Sequence, residues 1–246
     1  MRRHWLRWLI AGIIVVVVLA VAGPFVYIHF FNGSTPSALS LAPSGTPSAG
    51  SGSGSASASG AGTSTATATA TGSVTGTWTA GSGSVVGYRV NEVLLGQNAT
   101  AVGRTTSVTG QLTIRGTTAT VATFSVPMDT IHSDKSQRDA QFDGRIMDVA
   151  EYPTGTFSLT SPIDLAPLPA AGVIKSYTAH GKLTLHGTTR AVTFTLTAER
   201  VGTQIKVAGE IPVLFSDYNI ANPSFSGFVT TQDHGLLEFL LVFSKA

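Results

Sequence analysis

The chain has 246 residues, with 15 Lys and Arg against 13 Asp and Glu and no cysteine. Without cysteine a disulfide framework, thiolate-bound zinc, iron–sulfur clusters and thiol nucleophiles are excluded. Arg2, Arg3 and Arg7 carry the basic balance, and after residue 88 the remaining twelve bases face all thirteen acids, a net charge of −1; that is no basic stripe for nucleic acid.

Residues 1–8 form a basic N-terminus, and residues 9–31 an almost unbroken apolar run. As a helix this run reaches about 35 Å, enough to cross a hydrocarbon core of about 30 Å. Trp5 and Trp8 flank one end, and Phe25, Tyr27, Phe30 and Phe31 the other, as interfacial aromatics do. The bases precede the run, so the positive-inside rule predicts a cytoplasmic N-terminus and an extracytoplasmic remainder in the cell envelope. Ala20-Val21-Ala22 offers the alternative, a signal peptide cleaved to release a secreted protein. Residues 32–73 are nearly all Gly, Ser, Ala, Thr and Pro, with Leu39 and Leu41 the only large apolar side chains. Such a stretch buries too little to offset its ordering entropy, which predicts a disordered linker.

Residues 74–246 read as one domain of successive strands. Val86, Tyr88 and Val90 alternate with Gly87, Arg89 and Asn91; similar alternation marks Val108–Arg115, Thr156–Thr160, Lys182–His186 and Val192–Thr197. Period two with Thr and Val enrichment predicts half-buried antiparallel strands. Leu236–Phe243 is apolar on both faces except at Glu238, the pattern of a strand covered on both sides. Leu112–Thr118 (LTIRGTT) echoes Leu183–Thr189 (LTLHGTT), with Gly116 and Gly187 supplying the turn of a hairpin. Asp134–Ala150 breaks the pattern and predicts a helix, with Phe142, Ile146 and Met147 on one face and opposite charges at i,i+4 in Asp134–Arg138 and Lys135–Asp139. Pro153 closes it. About eight strands with one apolar face each predict a closed barrel, which leaves no free edge.

Chemistry is sparse. There is no H-E-x-x-H, and His180 and His186 share the polar face of their strand with Lys182 and Thr184, so no metal site is expected. No G-x-S-x-G occurs, and Asp217 with Asp233-His234 lacks a marked serine. The expectation is a protein that is not an enzyme and needs no cofactor. Arg138, Asp139, Asp143 and Asp148 either meet a polar head group or dock the helix by ion pairs.

Three segments carry a resemblance. Arg138–Phe157 (RDAQFDGRIMDVAEYPTGTF), Gly181–Thr193 (GKLTLHGTTRAVT) and Phe215–Ile220 (FSDYNI) resemble the YceI-like family, polyisoprenoid-binding proteins of the bacterial periplasm. Ile146 and Met147 stand where paired aromatics are common there, and Asn219 replaces a usual glycine. The resemblance implies an all-β, eight-stranded antiparallel, lipocalin-like barrel whose lumen holds an isoprenoid or other long apolar lipid. Lumen candidates are Tyr88, Leu112, Ile114, Phe124, Met128, Phe142, Met147, Phe157, Leu183, Leu185, Phe194 and Leu196, with Arg138 for a head group. The alternative is an adhesion or interaction module with a filled barrel. Oligomeric state cannot be read from the sequence.

Overall fold

The computed structural model describes residues 35–41, 73–94, 96–225 and 229–246. The described strands are β1 (Gly76–Ala80), β2 (Val85–Leu94), β3 (Gln97–Thr105), β4 (Thr109–Arg115), β5 (Thr118–Pro127), β6 (Thr154–Leu159), β7 (Ile163–Asp164), β8 (Lys175–Leu185), β9 (Thr188–Val201), β10 (Gln204–Leu214), β11 (Val229–Thr231) and β12 (His234–Lys245). Pairing runs β1-β4-β5-β6-β8-β9-β10-β12 and returns from β12 to β1, every step antiparallel. The sheet is therefore closed.

The barrel is eight-stranded because two staves are broken. The lower part of β12 pairs with β1 through Phe243–Lys245, and its upper part with β2 through Leu236–Leu240. The turn at Gly81–Ser84 thus splits one stave into β1 and β2. Likewise β3 pairs with β2 and β4 with β1, so β3 and β4 are two halves of the next stave. An isolated bridge between Arg104 and His132 ties β3 to the segment after β5.

Alternation along each strand sends Val86, Leu112, Ile114, Phe124, Phe157, Leu183, Phe194, Ile211, Phe239 and Leu241 into one buried core. The helical insertion is shorter than the expected Asp134–Ala150. An α-helix, α1 (Ser136–Gln141), passes into a wide π turn at Phe142–Ile146. There Met147 N–H donates to Phe142 O at 2.9 Å. The wider turn lets Phe142 and Met147 both bury, which a continuous α-helix would not do for residues five apart. Asp134–Arg138 pairs as expected, while Asp139 instead accepts from Ser133 N–H and Oγ at 2.8 and 2.7 Å.

β12 is buried on both faces. On its outer face Glu238 has no exposure and meets the guanidinium groups of Arg89 and Arg104. Part of the expected linker lies over this pair: Arg89 Nη2 donates to Pro36 O at 2.7 Å, and Arg104 Nη2 donates to Ser37 O. Leu39 and Leu41 are half-buried. Among the described residues no helix is long and apolar enough to cross a membrane. The expected anchor at residues 9–31 and linker residues 42–72 lie outside those described.

Candidate functional site

The interior of the barrel is not packed solid. Two cavities open to solvent, of about 640 and 710 Å³, lie along its length. Both volumes fall in the range of small-molecule sites. That a filled barrel packs solid, as the alternative reading required, is not what the strands build.

The first chamber lies under the helical insertion. Tyr88, Phe124, Met128, Phe142, Met147, Leu183 and Leu185 line it, with Arg138 at its edge. Tyr88 and Phe142 stack with centroids 5.1 Å apart, so the π turn seats its aromatic directly on the barrel wall. Arg138 is already engaged: one guanidinium nitrogen is 3.4 Å from Glu92 Oε1 on β2, and another meets Asp134. The Glu92 pair docks α1 to the wall, and the two pairs together hold a cation beside an apolar cavity. Burial pushes the Tyr88 phenol well above its ordinary pKa, partly offset by Arg138. It therefore stays a neutral hydrogen-bonding group through the physiological range.

At the mouth, Arg145 donates from Nη1 and Nη2 to Asn222 O and Pro223 O at 3.4 and 3.1 Å, joining the insertion to the loop after β10. Asn219 adopts φ 57° to turn that loop, a conformation asparagine tolerates. Phe225 stands 58% exposed on the lip.

The second chamber lies at the opposite end. Leu112, Ile114, Phe157, Phe194 and Leu196 line it with Phe124, and the loop Leu168–Ala171 flanks it. Every lumen residue expected from the sequence thus faces one chamber or the other. Sequence reasoning missed Phe215 and Ile220, which lie in and just after a short 3-10 turn without alternation, and Phe239 and Ile205, whose strands carried no unambiguous inward face.

The polar candidates fall elsewhere. His180 is exposed and shares a hydrogen bond with Thr193. His186 reaches Tyr218 O at 3.2 Å and packs on Tyr152. His234 pairs with its neighbour Asp233 at 2.7 Å on the exposed start of β12. Among the described residues no group of His, Asp and Glu could hold a metal. Asp148 sits at φ 43° after the π turn, and its carbonyl accepts from Tyr152 N–H at 2.8 Å, a turn-forming role.

The YceI-like domain family matches residues 78–243, which is the closed barrel apart from the outer ends of β1 and β12 and most of the chain. The chain belongs to the YceI-like family. Among solved structures, a polyisoprenoid binding domain from Saccharophagus degradans superposes with a TM-score of 0.58 at 15% identity, covering 70% of this chain and 99% of that one. Burkholderia cenocepacia BcnA gives 0.49 at 22% identity, covering 63% and 95%. A Campylobacter jejuni YceI protein gives 0.49 at 12% identity, covering 58% and 84%. At 15% identity the likeness to the Saccharophagus domain shows a shared fold. No curated protein matches the chain.

Proposed function

We propose that this YceI-like protein binds an isoprenoid or other apolar lipid in its barrel and holds, sequesters or ferries it without chemical change. The single observation that carries this is the pair of solvent-open chambers lined by aliphatic and aromatic side chains. Each methylene moved from water into such a cavity is worth about 0.8 kcal/mol. Ten give about 8 kcal/mol before ordering costs, enough for firm binding with few polar contacts. The Saccharophagus relative is described as polyisoprenoid-binding, which supports the ligand class. We further propose that residues 9–31 anchor the protein and that the barrel works outside the cytoplasm, which the long apolar run and its flanking arginines support.

Organic extraction of the purified chain followed by mass spectrometry tests the ligand. A co-purifying lipid at near-stoichiometric yield is expected. A lipid-free protein that also takes up no fluorescent polyprenyl probe would overturn the reading.

A further inference from the structure

The N-terminal part of the chain meets the barrel at two separate places. It enters β1 from Ser73, which borders the second chamber. Residues 35–41 meet the barrel elsewhere, on the outer wall of the first chamber, where Arg89 stands between the lining residues Tyr88 and Val90 of β2. Residues 42–72 separate the two places along the chain, so the second contact is not a product of sequence proximity.

Chemistry explains why this segment settles there. Two guanidinium groups bring more donors to Glu238 than one carboxylate can accept. Arg89 reaches both carboxylate oxygens and Arg104 reaches one, at 3.1 Å. Each Nη2 also donates outward, to Pro36 O at 2.7 Å and to Ser37 O, and such bonds from a charged donor are the stronger kind. Leu39 and Leu41 are half-buried while Ala38 and Ser40 are exposed, the alternation of a segment lying along a wall. These two leucines are the only large apolar side chains of residues 32–73. Polar and apolar contacts thus coincide in the same seven residues, which form a strap.

We propose that this strap shortens the tether and holds the outer wall of the first chamber close against the bilayer in which residues 9–31 are anchored. The inference rests on the anchor reading given above and is independent of what the lumen holds. Pro36 lies five residues beyond Phe31, a reach of at most about 18 Å. A free tether of the length of residues 32–73 would average about 35–40 Å, and would join the barrel at its other end, by Ser73. The strap therefore selects the surface that meets the lipid head groups.

Energy transfer from a dye on Thr230→Cys to acceptor lipid in phosphatidylcholine vesicles tests this in the full chain, which has no other cysteine. Thr230 is exposed, between Val229 and Thr231 of the first chamber's lining. About twenty Gly/Ser residues, worth about 25 Å of coil, are inserted either between Asn32 and Gly33, before the strap, or between Gly60 and Ala61, after it. The first insertion should lower transfer at least twofold, and the second should leave it unchanged. Leu39→Ser with Leu41→Ser, which loosens the strap, should by itself lower transfer at least twofold. Equal losses from the two insertions, no loss from either, or full transfer in the double variant would overturn the strap while leaving the anchor standing. A chain that does not stay with the vesicles would overturn the anchor and the strap's role together.

Discussion

The two faces of β12 are buried by opposite means. Inward, Phe239, Leu241 and Phe243 pack among hydrocarbon and line a cavity. Outward, Glu238 is sealed between Arg89 and Arg104, under the backbone of Pro36 and Ser37. The inner face asks only for shape and apolarity, so it can lose or gain an occupant. The outer face holds a charge that depends on every partner being present. One strand therefore carries an adaptable surface and an unforgiving one.

Substitutions can break that contrast. The largest effect is expected on the outer face: Glu238→Ala leaves two arginines without their carboxylate and should cost about 3 kcal/mol of stability, measured by denaturant titration. If the loss is below about 1 kcal/mol, the outer pair is not the sensitive element. Next comes the inner face where it is tight. Gly181→Ala forces the Phe157 ring and the Ser158 carbonyl, 2.3 and 2.8 Å from the new Cβ, to yield, at about 1–3 kcal/mol. A melting temperature equal to that of the unmodified chain would show the packing around Phe157 to be loose.

A smaller effect is expected at the cover. Leu39→Ser with Leu41→Ser should cost about 1 kcal/mol or less, yet speed protease cleavage within residues 35–41 severalfold. Unchanged cleavage would mean these leucines do not hold the segment down. The smallest effect is a pH dependence. Tyr88 has its folded pKa raised by burial above the unfolded value near 10. Its stabilising contribution is complete below pH 10 and falls away as pH rises from there toward the folded value. Between pH 9 and 11 the unmodified protein should lose more stability than Tyr88→Phe, and parallel curves would show that Tyr88 ionises freely.

Much of this was legible in the sequence because it is local. Alternation at Val86–Val90 and Leu183–Leu185 gave the inward faces, and the doubly apolar run at Leu236–Phe243 announced cover on both sides. What covers the outside was not legible. Residues 35–41 have no periodicity, and their docking depends on Arg89 and Arg104, more than fifty residues away. The helix was read too long because a π turn leaves no sequence mark distinct from an α-helical face. The ring contacts among Phe124, Phe157, Phe194 and Phe239 depend on register among β5, β6, β9 and β12, a non-local property; glycine at an inward strand position, as at Gly181 and Gly209, was the available sign of close approach.

The central claim, that an apolar chain enters this barrel, is tested most directly by calorimetric titration with a soluble ten-carbon prenyl alcohol at several temperatures. Burial of apolar surface makes the heat capacity of binding negative. A saturable heat whose enthalpy becomes more negative on warming is the expected result. Absence of saturable binding, or an enthalpy that does not change with temperature, would contradict the account.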